Sequence, residues 1–121
     1  MSERGTEKEF AGLTAIITGA ASGIGLATAR LLHQNGAQII GLDLNQGELK
    51  DFATWIYCDV STLESVTKAF AEVRQKTSVV DILINNAAVG SIGTVESESE
   101  ENWEKIFNIN VFSVARVTKA A

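Results

Sequence analysis

Thr18-Gly19-Ala20-Ala21-Ser22-Gly23-Ile24-Gly25 decides how the rest of the chain is read. The apolar run from Leu13 to Ile17 enters it, and a helical pattern leaves it at Ile24. The expectation is a strand, a glycine turn and a helix. Gly19 stands where the chain reverses and a Cβ would clash. Gly23 lets backbone approach a ligand, and Gly25 lets the new helix lie tight on the strand. The free N–H groups of the helix's first turn, at the positive end of its dipole, then suit a pyrophosphate. The spacing is Gly-x-x-x-Gly-x-Gly, not the Gly-x-Gly-x-x-Gly of the usual dinucleotide fingerprint. Taken alone, the stretch also reads as a plain glycine-rich turn.

At 121 residues, 45% of them apolar, the chain has room for one domain with one modest core. The net charge is −5 and no Lys/Arg cluster occurs. That argues against nucleic-acid and anionic-membrane partners, whose binding rests on phosphate contacts. A small anion held by backbone N–H groups stays open. Cys58 is the single cysteine, so there is no intrachain disulfide and no zinc spacing, and no metal site is expected. It ends an apolar run and reads as a buried, inert thiol. Residues 1–9 are polar and read as a loose arm without a signal peptide, and no run approaches the ~20 apolar residues of a membrane span. A cytoplasmic protein is the default expectation.

Downstream, strands are expected at 14–18, 38–42, 54–58 and 79–84, with helices between them. The first helix, 24–35, should turn Ile24, Ala27, Leu31 and Asn35 inward and end at Gly36 in a left-handed cap. His33, near its end, reads as a capping or surface group. A polar stretch, 45–51, holds one or two helical turns at most. Ser61-x-x-Glu64 and Ser97-x-x-Glu100 read as capping boxes. The first opens a helix to about Lys76 with Leu63, Val66, Phe70 and Val73 inward. The last helix runs from about Glu98 to the end with Trp103, Phe107, Asn110, Val114 and Val117 inward. Such alternation means a parallel, doubly wound α/β sheet, here of order 3-2-1-4.

Acids and amides stand at the strand tips. Asp43 follows Gly25 by 18 residues and can accept hydrogen bonds from both ribose hydroxyls of an adenosine. It would repel a 2′-phosphate, and Ser22 and Leu44 offer no positive charge to one, so NAD is expected over NADP. Asp59-Val60 could meet an adenine edge, or simply open a helix. Asn85-Asn86 lies at the point where winding reverses. Adjacent amides cannot both face the same way, so one is expected to bridge backbone and the other to line a crevice. Asn110 is an amide in an apolar stripe and needs partners, whether its role is structural or catalytic.

Together, Thr18-Gly19-x-x-x-Gly23-Ile24-Gly25, Asp43, Asp59-Val60, Asn85-Asn86-Ala87 and Asn110 resemble the short-chain dehydrogenase/reductase family, from Phe10 onward. The resemblance implies a Rossmann fold, a nicotinamide cofactor, hydride transfer between an alcohol and a ketone or aldehyde, and a homo-dimer or homo-tetramer. It implies pyrophosphate and ribose contacts at Thr18, Gly19, Ser22, Gly23, Ile24 and Gly25. Asp43 becomes the ribose acid, Asp59 and Val60 the adenine contacts, and Asn86 and Ala87 the wall beside the second ribose. Asn110 becomes the asparagine whose backbone carbonyl holds a water of the proton relay. Ala88 stands where the family has Gly, and Gly90 is expected to take up part of that turn's freedom.

The family's Ser and Tyr-x-x-x-Lys do not appear. The single tyrosine, Tyr57, is followed four residues on by Ser61 and lies in a strand. Residues 10–121 are therefore expected to be the NAD-binding domain of a longer member, cut within the helix after strand four, with the sheet incomplete on its C-terminal side. The alternative is a short, non-catalytic NAD-binding or regulatory module.

Overall fold

β1 (Thr14–Thr18) is buried along its whole length, and the other elements are arranged on either side of it. A computed structural model describes residues 8–90 and 93–121; the arm's first seven residues lie outside that range. β2 (Gln38–Asp43) pairs with β1 in parallel on one side and β4 (Ile82–Ile84) on the other. β3 (Thr54–Tyr57) lies outside β2. The order β3-β2-β1-β4 is the one the alternation of elements predicts.

Alternate residues of β1 feed two cores, as a strand covered on both faces must. Ala15 and Ile17 join Ile39, Ala29 of α1 (Gly23–Gln34) and Leu49 from the 3-10 turn Gly47–Asp51. Ile16 joins Ile40, Leu42 and Ile56, covered by Val66, Phe70 and Val73 of α2 (Leu63–Lys76). Gly36, at φ +99°, takes the left-handed turn expected after α1. Lys8 Nζ donates to the carbonyl of Gln34 there. His33 is exposed and stacks on Phe52.

α1 is rotated from its expected register. Gly25 and Ala29 are buried, whereas Ile24 is 79% and Leu31 60% exposed, and Ala27 is exposed as well. The physical reason is closeness. Two small residues four apart let the helix backbone settle against the turn and sheet, where larger side chains would hold it off. Leu63 likewise stays outside, and α2 packs through Val66, Ala69, Phe70 and Val73.

The caps shift too. Thr62, not Ser61, caps α2, its hydroxyl accepting from the Ser65 N–H at 3.2 Å. Ser61 is occupied by Asp59, donating to its Oδ1 from both N–H and Oγ. Ser97 binds Thr94, and Ser99 caps α3 (Glu100–Phe107) by accepting from Asn102 N–H. The last helix is also not continuous. A π-turn, Asn108–Phe112, separates α3 from α4 (Ser113–Ala120). Its extra residue rotates α4 relative to α3. Val117 is therefore buried in the α2-side core, Asn110 is half-buried, and Trp103, Phe107 and Val114 are exposed.

β4 is shorter than the apolar run 79–84. Thr77 Oγ1 accepts from the Val79 N–H at 3.2 Å, which takes that N–H away from the sheet. Pairing starts at Asp81, whose N–H donates to the Thr14 carbonyl and whose carboxylate accepts from the Thr14 N–H at 2.8 Å. No helix among the described residues is long and apolar enough to cross a membrane.

Candidate functional site

The C-terminal ends of all four strands face one cavity of about 290 Å³, at the lower end of small-ligand sites. Gly19 and Ser22 line it from the β1 turn, residues 42–44 from β2, residues 58–60 after β3, and residues 86–89 after β4. Ile109 reaches it from the π-turn. This is the crevice where winding reverses.

The turn after β1 is tightly built. Gly19 has φ +65°, and its N–H donates to the Leu42 carbonyl at 2.8 Å. A Cβ on Gly25 would sit 2.1 Å from the Gly19 carbonyl oxygen, so the helix start rests directly on the turn. Gly23, at φ +55°, faces open space. Ser22 is the N-cap of α1 but makes no side-chain bond to the helix, and the first turn carries no acid. α2 and α3 differ: each has a capping hydroxyl and an acid in its first turn. The start of α1 is therefore left electropositive, with N–H groups free for an anion.

Asp43 stands beside it. Oδ2 accepts from the Ala21 N–H at 2.9 Å and Oδ1 from Asn45 N–H at 3.1 Å, which fixes the carboxylate and leaves each oxygen a further lone pair. Trp55 Nε1 donates to the Asp43 carbonyl. At the next strand tip, Asp59 Oδ1 accepts both bonds from Ser61, while Oδ2 has no partner among the described residues. The Val60 N–H has none either. Burial pushes the Cys58 thiol from 9.0 up to about 11, against a lowering bond with Ser65 and with Asp59 adding to the rise. It stays protonated near neutrality and inert.

Thr18 is buried, and its hydroxyl accepts from the N–H groups of Asn86 and Ala87, both at 3.0 Å. Asn86 Nδ2 donates to the Gly19 carbonyl at 3.1 Å. Asn85 turns the other way, to Thr118 Oγ1. The two amides thus part as expected, but Asn86 both bridges backbone and lines the cavity. Gly90 does not adopt positive φ, so it does not use the left-handed region open to a glycine. What holds this loop is Asn110. Its Oδ1 accepts from the Val89 N–H at 2.8 Å, and its Nδ2 donates to the Val89 carbonyl at 2.7 Å.

Asn110→Ala removes both bonds. It is expected to cost about 1–3 kcal/mol and to speed amide exchange at residues 87–90. Protection there equal to wild type, by hydrogen exchange, would refute the clamp.

The family model for short chain dehydrogenase matches residues 13–121. The chain belongs to the short-chain dehydrogenase family. It is 34% identical over 119 residues to the dehydrogenase/reductase SDR family member 11 of Bos taurus, covering 88% of this chain and 47% of that one. It is 34% identical over 121 residues to the NAD-dependent glycerol dehydrogenase of Listeria innocua, covering 92% and 47%. The solved aldohexose dehydrogenase of Thermoplasma acidophilum superposes with a TM-score of 0.87 at 30% identity, over 95% of this chain and 45% of that one. The chain spans about half the length of the curated relatives it matches.

Seven residues singled out by sequence line the cavity of this family member: Gly19, Ser22, Asp43, Asp59, Val60, Asn86 and Ala87. Thr18 and Gly25 lie behind the wall, Gly23 and Ile24 stand at the exposed helix start, and Asn110 acts through Val89. Tyr57 faces a separate cleft with Thr62 and Lys68. No metal cluster occurs among the described residues. Sequence reasoning misses Asn108 and Arg116. Arg116 Nη1 donates to the Val60 carbonyl at 3.1 Å and Nη2 to Asn108 Oδ1, while Asn108 Nδ2 donates to the Ser61 carbonyl at 2.9 Å. No side-chain pattern points to either: Arg116 shares its helix with Ser113, Thr118 and Lys119, as an ordinary surface cation would.

Proposed function

We propose that this chain is the NAD-binding half of an oxidoreductase that moves hydride between an alcohol and a ketone or aldehyde. The observation that carries the reading is the anchored Asp43 carboxylate beside an uncapped helix start. A pyrophosphate suits the free N–H groups of Ser22 to Gly25. Asp43 suits two ribose hydroxyls, and its charge, with neutral Ser22 and Leu44 beside it, disfavours a 2′-phosphate. An adenine presents a 6-amino donor and an N1 acceptor, which match Asp59 Oδ2 and the Val60 N–H. Asn86 and Ala87, pinned by Thr18, form a wall for the second ribose. The nicotinamide, when bound, supplies the hydride donor or acceptor. Asn110 commits its side chain to Val89, and its backbone carbonyl is assigned the relay water by family resemblance.

Tyr-x-x-x-Lys is absent from these 121 residues, so the proton donor must come from outside them. Glycerol and aldohexoses are the substrates named for two similar proteins; a small polyol or sugar is a reasonable first class to screen. The exposed Trp103, Phe107 and Val111 of α3 and the π-turn suit a homo-oligomer contact. A free cysteine suits the reducing cytoplasm. The second reading, a non-catalytic NAD-binding module, rests on the missing motif. The test is the protein isolated from its own cells, assayed for intact mass, NAD binding and NAD-linked oxidation of a polyol and sugar panel. Turnover supports the enzyme. Binding without turnover in a product of 12.9 kDa supports the module. No NAD binding defeats both.

A further inference from the structure

Arg116 is a half-buried guanidinium that meets no carboxylate among the described residues. Its fork is spent on the carbonyl of Val60 and on Asn108 Oδ1. Asn108 in turn donates to the Ser61 carbonyl. Two successive carbonyls after β3 are therefore drawn toward the last helix. These bonds hold the Val60–Ser61 and Ser61–Thr62 peptide planes; the Val60 N–H lies in the plane just before them, whose Asp59 carbonyl accepts from the Thr62 N–H at 3.3 Å, so the two tethers set its direction through the Val60 Cα. The neighbouring groups are tied to the same segment: Asp59 N–H donates to Ser65 Oγ at 2.8 Å, and Ser61 donates to Asp59 Oδ1. What remains without a protein partner is the Val60 N–H and Asp59 Oδ2, a donor and an acceptor side by side at the cavity.

We propose that Arg116 and Asn108 are positioning residues for adenine recognition: they aim the Val60 N–H and the Asp59 carboxylate at the purine edge without touching it. The inference rests on reading the crevice as an NAD site and adds the device that sets its base specificity. The placement also joins the two walls. Asn108 and Asn110 lie two apart in one π-turn, and they reach Ser61 and Val89, on opposite sides of the cavity. A π-turn suits this role because its extra residue spreads neighbouring side chains around the helix.

The test uses the whole chain and two dinucleotides, NAD and nicotinamide hypoxanthine dinucleotide. In the second, the 6-amino donor becomes an oxo acceptor and N1 becomes a donor, so both contacts are mismatched. Wild type is expected to prefer NAD by about tenfold or more, the discrimination of a site built to hydrogen-bond its ligand. Arg116→Met keeps the apolar stem and removes the fork, and Asn108→Ala removes the Ser61 tether. In each, the preference is expected to fall at least threefold, with thermal midpoint and helix content measured alongside. A merely structural role would weaken both dinucleotides alike and leave the ratio unchanged; that result overturns the proposal. If Arg116→Met does not fold, Asn108→Ala carries the same test, and if neither folds the pair serves stability and the proposal is wrong. Wild type that binds NAD without preferring it over the hypoxanthine form overturns the adenine assignment and the proposal with it. Wild type that binds neither defeats the NAD reading itself.

Discussion

Asp43→Ala is expected to weaken NAD binding by about tenfold or more and to shrink the preference for NAD over NADP to within a few-fold. Hydrogen bonds to a charged group contribute roughly 1.5–3 kcal/mol each, and each 1.4 kcal/mol is about a factor of ten. The carboxylate is not free to swing away from a 2′-phosphate, because the Ala21 and Asn45 N–H groups hold its two oxygens. Repulsion between fixed like charges a few ångströms apart amounts to roughly 3–4 kcal/mol near a protein surface. Removing it should improve NADP binding while NAD binding worsens. Alanine also releases those two N–H groups, so Asp43→Asn, which keeps one anchor, separates charge from shape. It should retain stability and still lose the discrimination. Titration calorimetry with both cofactors measures this. An unchanged NAD/NADP ratio in both variants would remove Asp43 from the site.

The second large effect is at Gly25. A methyl there would meet the Gly19 carbonyl oxygen at 2.1 Å and Asn86 Nδ2 at 2.5 Å. Neither neighbour can yield cheaply. Gly19 is fixed by its bond to Leu42, and Asn86 by its bonds to Thr18 and Gly19. The start of α1 would have to lift, pulling Ala29 out of its core. Gly25→Ala is expected to cost roughly 3 kcal/mol or more in urea unfolding. Gly23→Ala meets no atom but sits at φ +55° and should cost about 1–2 kcal/mol. Gly90→Ala, with open space and ordinary φ, should be nearly neutral. A Gly25→Ala variant as stable as the Gly90→Ala variant would show that the turn is looser than these contacts require.

Much of this arrangement was legible before the structure. The alternation of apolar runs with helical patterns gives the sheet order, and that order puts every strand tip at one crevice. Asp43, Asp59 and Asn86 stand out as polar residues at those tips, Asp43 also by its spacing from Gly25. The register of α1 was not legible, because Ile24 and Leu31 carry the hydrophobic signal while Gly25 and Ala29 do the packing. Capping boxes misled where hydroxyls crowd: Ser61 adjoins Thr62, Ser97 lies near Ser99, and the bonds of Asp59 and Thr94 decide which hydroxyl is left for the helix. The π-turn leaves no mark in composition. Asn108 and Arg116 were hidden because their targets are backbone carbonyls 47 and 56 residues away, which no side-chain pattern reveals.

Amide chemical shifts of the isotopically labelled chain, recorded as NAD is added, test the assignment of the crevice most directly. The expected result is saturable movement of Gly19, Ser22 to Gly25, Asn45, Val60 and Ala87, with Thr67, Arg74 and Lys119, which line a separate groove between α2 and α4, unmoved. No movement at saturating NAD, or movement confined to that groove, would contradict it.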